Sequence, residues 1–276
     1  ERIWVRGVVV SSYSEIPSHY DAHQSFANWL VEQKVPGIAG IDTRALTQKL
    51  REHGVLRGKI SSRPKKTDVS KVVIPTDLVA QVSLPDVIEY KADKPNGKRI
   101  LLLDCGVKHG ILRAFLDRGF AIRRIPWDAD PMKYMDGIDG VVCSNGPGDP
   151  KDCTPTTEHI RKVLEKDIPY IGICLGHQLL ALAVGADTYK LKYGHRGINQ
   201  PCQDVTTQKC YVTSQNHGYA VKEDTIPSGY IPWFRNLNDG TNEGMKHKTK
   251  KVWSTQFHPE GYPGPSDSAF VFDLLK

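Results

Sequence analysis

The chain has 276 residues and a net charge of +6 that is spread along the sequence. This length corresponds to one large or two medium domains, which can bury a core without disulfide staples. No apolar run approaches the ~20 residues of a membrane-spanning helix, so we expect no membrane segment. The six cysteines include no C-x-x-C pair, which argues against a zinc site or a disulfide framework and favours a reducing cytoplasm.

The densest basic segment, KHKTKK at residues 246–251, contains no aromatic residue. Surfaces that bind single-stranded nucleic acids combine basic side chains with aromatic ones on which bases stack. We therefore interpret this segment as a solvated hairpin turn, and we expect no nucleic-acid partner.

The first 60 residues predict a small α/β domain. The β-branched run at residues 4–12 indicates a strand, and residues 21–34 carry apolar side chains at helical spacing before a Val-Pro-Gly stop. A second helix is expected between Asp42, a good N-cap, and Gly54, a typical residue just past a helix end. The first strand begins almost at once and without an initiator Met, so we expect this domain to be truncated at its N-terminus.

Residues 61–98 differ in composition from the segments on either side. They contain scattered lysines and four prolines, Pro64, Pro75, Pro85 and Pro95. Such a composition is typical of a connection between domains. We therefore predict a linker over residues 61–98 and a second domain over residues 99–276.

From residue 99 the sequence alternates between apolar strands and amphipathic helices. Strands are predicted over residues 100–104, 121–125, 138–144 and directly before Cys174, with helices over residues 107–118, 156–165 and 177–183. This order predicts an α/β fold with a mostly parallel, doubly wound sheet and right-handed crossovers. Ligands bind at the carboxyl ends of such strands, so the loop at residues 145–150 and Cys174 are expected to face one crevice.

After residue 186 the predicted elements are shorter strands separated by polar turns. They cover residues 188–193, 210–213, 219–221 and 251–257, and the last of them ends in His-Pro-Glu. A closing helix is predicted over residues 266–275, with Ser266 as its cap.

Residues 172–176 read GICLG, the cysteine form of the G-x-S-x-G nucleophile elbow. Both glycines are expected because a sharp strand-to-helix turn leaves no room for a neighbouring Cβ. The first turn of a helix favours a thiolate and directs backbone N–H groups at the atom that the sulfur attacks. The motif is short, so by itself it describes a buried structural cysteine equally well.

A catalytic thiol needs a base, and the base needs a group that orients it. His258 directly follows a predicted strand, Pro259 stiffens the turn, and Glu260 can reach the far ring nitrogen. A metal shared by Cys174 and His177 is disfavoured because no second ligand pair lies nearby. The remaining cysteines have neither an elbow nor a metal spacing and are interpreted as structural: Cys105, Cys143, Cys153, Cys202 and Cys210.

Four segments together resemble the class I, triad-type glutamine amidotransferases: SNGPGDP (144–150), GICLGHQLLALA (172–183), SQNHGYAV (214–221) and STQFHPE (254–260). Three more are similar to the small, glutamine-hydrolysing chain of carbamoyl phosphate synthetase: PGIAGIDTRALTQKLREHG (36–54), YGHRGINQP (193–201) and GPSD (264–267). The resemblance assigns residues 1–60 to the N-terminal domain of such a small chain and residues 99–276 to the amidotransferase domain.

The resemblance implies that Cys174 is the nucleophile, His258 the general base and Glu260 its orienting group. The positions that correspond to glutamine-binding and oxyanion-binding residues are Gly146, Gly148, Leu175, Gln178, Asn216, Gly218 and Tyr219. The family also uses a serine from an early loop of its first domain, and no position here matches that serine.

Other residues inside the matching motifs are expected to have different roles. His177 and His217 are expected to be structural. Asp42, Thr43 and Arg44, at the start of a predicted helix, are expected to help contact a partner chain.

The implied reaction is the hydrolysis of L-glutamine through a thioester, with ammonia passing to a large synthetase subunit or a fused synthetase domain for arginine and pyrimidine biosynthesis. The sequence has neither a P-loop nor a G-x-G-x-x-G after a strand. We therefore expect no cofactor in this chain, and ATP and Mg²⁺ in the large subunit. Two alternatives stay open: the glutaminase subunit of another amidotransferase, and a non-catalytic regulatory module on the same fold.

Overall fold

The computed structural model describes residues 2–61, 68–73 and 75–276. The chain divides into two compact units, Glu1–Ile74 and Pro75–Lys276. Pro64, part of the predicted linker, lies outside the described residues. Within the described residues, no helix has the length and apolarity needed to span a bilayer.

In its described residues the first unit contains two short strands, two α-helices and a 3₁₀ helix over Val69–Lys71. The strands and α-helices are β1 (Val8–Val9), α1 (Phe26–Glu32), β2 (Gly37–Ile38) and α2 (Thr43–His53). The strand predicted over residues 4–12 is shorter than expected because β2, its parallel partner, is itself two residues long. Helix α1 begins late because the Ser25 hydroxyl accepts from the Asn28 N–H and caps it there. Helix α2 is confirmed, since Asp42 accepts from the Ala45 N–H at 2.9 Å.

The second unit begins inside the segment that the sequence predicts as a linker. Residues 75–98 contain the helix α3 (Leu78–Val82) and the strand β3 (Ile88–Tyr90). Strand β3 pairs with a strand of the large sheet, so this stretch belongs to the second unit. The division of the chain therefore lies near residue 74 instead of residue 98, because sheet pairing is not visible in the local composition.

The second unit is built on a ten-stranded sheet in the described part of the chain. Its further strands are β4 (Arg99–Asp104), β5 (Ala121–Pro126), β6 (Gly140–Cys143), β7 (Tyr170–Ile173), β8 (Asp187–Asp204), β9 (Cys210–Lys222), β10 (Tyr230–Asn236), β11 (Asn242–His247) and β12 (Val252–Thr255). The order across the sheet is β3-β5-β4-β6-β7-β12-β11-β10-β8-β9. The central strands from β5 to β12 are parallel, which confirms the predicted doubly wound arrangement.

The strands beyond β12 form an antiparallel extension of this sheet. Strand β8 and strand β9 are much longer than the separate short strands predicted for these regions, and they continue through register shifts. Strands β10 and β11 were not predicted, because asparagines and charged residues interrupt their apolar pattern.

Helices cover both faces of the parallel strands: α4 (His109–Leu116), α5 (Thr154–Leu164) and α6 (Leu175–Ala183). Successive side chains of β4 point to opposite faces, so Leu101 packs in the core with α5 and α6, whereas Leu102 packs with α4. Complete burial of each such leucine contributes about 1.5–3 kcal/mol to stability. These two cores hold the carboxyl ends of the central strands in fixed positions.

The C-terminal segment differs from the predicted α-helix over residues 266–275. It forms a 3₁₀ helix over Ala269–Leu275. Ser266, predicted as the side-chain cap, instead accepts the Ala269 N–H through its backbone carbonyl oxygen. Three residues per turn align Phe272 and Leu275 on one face. Both are buried in the core, where Phe272 packs edge-on against Phe115 with the ring centroids 5.0 Å apart.

Candidate active site

Cys174 lies at the sharp turn between β7 and α6, with a φ of +54°. This left-handed conformation is strained for a residue with a Cβ and persists only when its surroundings hold it. The Cys174 N–H donates to the Thr255 carbonyl oxygen at 2.7 Å, and the Gly176 N–H donates to the Ser144 carbonyl oxygen at 3.1 Å. Backbone bonds from two neighbouring strand ends therefore hold the turn.

The glycines on either side of Cys174 are required by close backbone packing. A Cβ on Gly172 would overlap the Gly176 carbonyl oxygen, and a Cβ on Gly176 would overlap the Cys143 carbonyl oxygen. Because these neighbours are backbone atoms, they cannot move aside. The structure thus supplies the steric reason for the G-x-C-x-G pattern.

His258 and Glu260 form a buried pair beside this turn. His258 Nδ1 lies 2.8 Å from Glu260 Oε1, which leaves Nε2 as the nitrogen available to Cys174. The His258 N–H donates to the Ser214 carbonyl oxygen at 2.9 Å and so ties the histidine to β9.

The charges of this pair depend on each other. Burial opposes protonation of His258, but the Glu260 carboxylate and a hydrogen bond with Cys174 raise the pKa of the imidazole well above its usual value. Burial also opposes ionisation of Glu260, but the His258 cation and Lys108 hold the pKa of its carboxyl below its usual value. At neutral pH the site therefore presents an imidazolium, paired with the Glu260 carboxylate, beside the Cys174 sulfur.

The loop after β6 approaches the elbow from the neighbouring strand. A Cβ on Gly146 would lie 2.6 Å from the Leu175 side chain and would overlap the Cys105 carbonyl oxygen, so the chains pass very closely here. Gly148 has a φ of +94° and lies beside Leu78 of α3. The structure thus places Gly146 against Leu175, whereas Gly148 packs near α3.

Strand β9 carries the remaining residues predicted to bind glutamine, Asn216, Gly218 and Tyr219. Gln178 Nε2 donates to the Tyr219 carbonyl oxygen at 2.9 Å, which joins β9 to α6. The Tyr219 phenol forms a hydrogen bond with Asp149 of the loop at residues 145–150, and burial together with this carboxylate raises the pKa of the phenol to about 12. Asn216 is exposed at the surface of the strand.

Two contacts of the candidate triad, Cys174, His258 and Glu260, were not predicted from the sequence. Lys108 Nζ lies 2.9 Å from Glu260 Oε1. The feature of the sequence that could have identified Lys108 is its position just beyond the carboxyl end of β4. Gln256 Nε2 donates to Cys174 Sγ at 3.7 Å. The feature that could have identified Gln256 is its position two residues before His258, because residues two apart in an extended chain point to the same side.

A second buried cluster lies next to the β9 residues. The His195 ring lies 3.1 Å from the Glu243 carboxylate and 2.8 Å from the Asp239 carboxylate. Burial opposes its protonation, but these two carboxylates raise the pKa of His195 to about 9. His217 Nδ1 lies 2.8 Å from the Tyr219 carbonyl oxygen.

The same cluster contains ligand types that bind metal ions, because potential ligand atoms of His195, His217 and Glu243 lie within 4.8 Å of one another. Both ring nitrogens of His195 already have carboxylate partners. We therefore interpret the cluster as a buried ion pair, and His217 as a structural support of the Tyr219 carbonyl.

His177 lies directly after the elbow and is completely buried. Its Nδ1 is 2.8 Å from the Ser254 hydroxyl, and burial lowers its pKa to about 3. A neutral imidazole that is held in this way packs beneath the site and does not share a proton with Cys174.

The other buried cysteines of the second unit have the environment of structural thiols. Cys105, Cys143, Cys153 and Cys202 are buried, and Cys210 is exposed. Burial raises the pKa of Cys153 to about 12 and that of Cys202 further still, while a hydrogen bond with Cys143 and burial raise that of Cys105. Thiols of this kind are poor nucleophiles at neutral pH.

Comparison with known families matches residues 101–276 to the family described as glutamine amidotransferase class-I. Residues 1–60 match the family described as carbamoyl-phosphate synthase small chain, CPSase domain.

Two curated relatives illustrate the similarity. The arginine-specific small chain of carbamoyl phosphate synthase from Emericella nidulans is 47% identical over 274 residues, covering 97% of this chain and 60% of the relative. The multifunctional protein pyr1-3 of Dictyostelium discoideum is 41% identical over 293 residues, covering 99% of this chain and 13% of the relative. The chain therefore spans about 60% of the length of the fungal small chain.

A solved structure from Thermoplasma acidophilum, described as part of a GMP synthase, has a TM-score of 0.58 at 23% identity, covering 65% of this chain and 92% of that chain. At this identity the likeness shows a shared fold.

Proposed function

This chain belongs to the class I glutamine amidotransferases, and we propose that it hydrolyses L-glutamine to glutamate and ammonia. Cys174 is the nucleophile, His258 the general acid and base, and Glu260 the group that orients the imidazole. The observation that carries the proposal is the placement of the His258–Glu260 pair, joined at 2.8 Å, beside a cysteine on a strained strand-to-helix turn.

The reaction begins when the Cys174 thiolate attacks the side-chain amide carbon of glutamine. The negative charge that develops on the amide oxygen is stabilised by the N–H of Leu175, which has no acceptor within its own helix, and by N–H groups of the loop around Gly146 and Gly148. One well-placed donor of this kind lowers the activation free energy by about 3 kcal/mol. His258 transfers its proton to the departing ammonia, which leaves a thioester on Cys174.

The second half of the reaction releases glutamate. The neutral His258 removes a proton from water, the hydroxide attacks the thioester carbon, and the C–S bond breaks to restore the Cys174 thiolate. Glu260 keeps the imidazole in the correct orientation during both proton transfers. Gln178, Asn216, Gly218 and Tyr219 bind the remainder of the substrate, since they lie on the two elements that border the elbow.

We further propose that the ammonia is used by a carbamoyl phosphate synthetase large subunit or a fused synthetase domain, which would hold ATP and Mg²⁺. The match of residues 1–60 to the small-chain domain supports this assignment, as do the names of the fungal and Dictyostelium relatives. The unbridged cysteines fit a reducing compartment, and we propose the cytoplasm.

The test is Cys174→Ala in the full-length protein together with its synthetase. Glutamine hydrolysis should fall to background, while carbamoyl phosphate synthesis from added ammonia should persist. Cys210→Ala, which changes an exposed cysteine, is the matched control and should leave both activities unchanged. Glutamine hydrolysis that survives Cys174→Ala would contradict the proposal, and glutamine binding by the wild-type protein without ammonia release would indicate a regulatory module.

A further inference from the structure

Gln256 is completely buried, and its side chain contacts two residues of the candidate site. Its Nε2 donates to Cys174 Sγ at 3.7 Å, and its Oε1 accepts from Gln178 Nε2 at 2.9 Å. The Gln256 backbone N–H donates to the Glu243 carbonyl oxygen at 2.8 Å, which ties this residue, directly after the end of β12, to β11. One amide thus joins the nucleophile to a residue predicted to bind the substrate.

The orientation of both amides follows from their partners. The Tyr219 carbonyl oxygen can only accept, so the Gln178 atom that lies 2.9 Å from it must be the nitrogen. The same nitrogen donates to Gln256 Oε1, so Gln256 must present its own nitrogen to the Cys174 sulfur. This arrangement uses both N–H groups of Gln178 and leaves its Oε1 free to accept a hydrogen bond from a substrate N–H.

We propose that Gln256 is a further catalytic residue, which donates a hydrogen bond to the Cys174 sulfur and sets the orientation of the Gln178 amide. The proposal rests on the glutaminase function proposed above. His258 can stabilise the thiolate only while it is protonated, and it loses its proton to the departing ammonia. The Gln256 amide is neutral and keeps its N–H throughout, so it can stabilise the sulfur both before attack and as the thiolate leaves the thioester.

The expected decrease in rate on removing the Gln256 donor follows from the strength of a hydrogen bond to an ionised group. Loss of such a bond in a buried site corresponds to a decrease of about 10- to 100-fold in rate. Because the donor acts on the sulfur, this loss should appear in kcat and in the reactivity of Cys174 before any effect on KM.

Two substitutions separate the functions of the amide. Gln256→Glu keeps an oxygen that can accept from Gln178 but removes the donor to Cys174. Gln256→Met has a similar volume and removes both contacts. Gln203→Glu and Gln203→Met are the matched controls, because the Gln203 amide on β8 donates to the Gln208 carbonyl oxygen and touches neither Cys174 nor Gln178.

The full-length protein should be assayed for kcat and KM for glutamine, and for the pH dependence of Cys174 alkylation by iodoacetamide. Gln256→Glu should lower kcat at least tenfold and move the alkylation midpoint to higher pH, with KM within about threefold. Gln256→Met should do the same and also raise KM, since the Gln178 amide can then rotate. Thermal unfolding of each variant identifies any loss of fold.

The proposal is overturned if a folded Gln256 variant keeps kcat within twofold and alkylates with the wild-type pH profile. It is equally overturned if the Gln203 variants show the same changes. If the wild-type protein releases no ammonia, the proposed function fails, but the alkylation profile still tests the Gln256–Cys174 contact. If Gln256→Glu does not fold, Gln256→Met and its alkylation profile decide the question.

Discussion

The carbonyl oxygen of Thr255 accepts a hydrogen bond from the backbone N–H of Cys174 at 2.7 Å, and this bond joins the turn at Cys174 to the strand that leads into His258. It continues the parallel pairing of β7 with β12, in which Ile173 lies opposite Thr255. The distance between the sulfur and the imidazole is therefore set by the register of two adjacent strands. A shift by one residue would turn His258 to the other face of the sheet.

The turn at Cys174 should not accept a side chain at position 176. Gly176→Ala would push a methyl group into the Cys143 carbonyl oxygen, and overpacking against backbone costs about 1–3 kcal/mol. We expect a lower denaturation midpoint and loss of glutaminase activity, measured on the same sample. Gly58→Ala, where a Cβ meets nothing within 4 Å, should be close to wild type; equal effects of the two substitutions would contradict the steric argument.

Glu260→Gln should change the pH dependence of the reaction. The Glu260 carboxylate helps to raise the pKa of His258, so its removal should lower that pKa and move the basic limb of the kcat/KM profile to lower pH. We expect kcat at neutral pH to fall by about 10- to 100-fold, because the imidazole also loses its orienting partner. Glu158→Gln on the exposed face of α5 is the control, and an unshifted basic limb in Glu260→Gln would argue against the assigned role.

His195 should make stability depend on alkaline pH. Its folded pKa of about 9 lies above the ordinary histidine value of 6.5, so the folded state binds a proton that the unfolded state releases. This contribution is complete below about pH 6.5 and is lost as the pH rises through about 9. We expect this proton to contribute about 1–2 kcal/mol to the free energy of unfolding, after allowing for solvent screening around the partly exposed Asp239.

The measurement for His195 is the guanidinium unfolding free energy at pH 6.5, 8 and 9.5. His195→Gln should reduce the fall in stability across this range. It should not abolish the fall, because the pKa of His258 is also raised. Identical slopes in the wild-type and variant proteins would show that the pair with Glu243 and Asp239 does not hold an extra proton.

Thiol labelling should separate Cys174 from the other cysteines. Iodoacetamide at pH 7.5 should modify Cys174 and the exposed Cys210, whereas burial and raised pKa values protect Cys153 and Cys202. Glutamine should slow labelling of Cys174 and leave Cys210 unchanged, as peptide mass spectrometry can measure. Protection of both cysteines, or of neither, would be inconsistent with a glutamine site at Cys174.

Much of the candidate site could be predicted because its signals are local. The two glycines that the turn at Cys174 requires lie within five residues, and His258 and Glu260 are two residues apart. Short motifs are therefore sufficient to identify Cys174, His258 and Glu260 as candidates. Lys108 and Gln256 were missed because their partners are distant in sequence. A lysine after a strand, or a glutamine before a histidine, acquires its meaning only from the residue that it meets.

The fold likewise has parts that could be predicted from the sequence and parts that could not. The central parallel strands are continuous apolar runs, since both of their faces are buried, and such runs are visible in the sequence. The limits of β8 to β11 and of the linker were not visible, because backbone pairing, which is indifferent to side-chain polarity, decides them. The C-terminal 3₁₀ helix likewise reflects the packing of Phe272 against Phe115 more than local propensity.

The sequence alone identified the candidate nucleophile, its candidate base and the alternation of strands and helices, because each depends on steric and hydrophobic patterns between near neighbours. Only the tertiary structure decided which amide faces the Cys174 sulfur, which cation meets Glu260 and where β9 lies against α6. Those contacts depend on strand order and register across the sheet. The chemistry of the site is therefore encoded locally, while its geometry and its charges come from the pairing of distant strands.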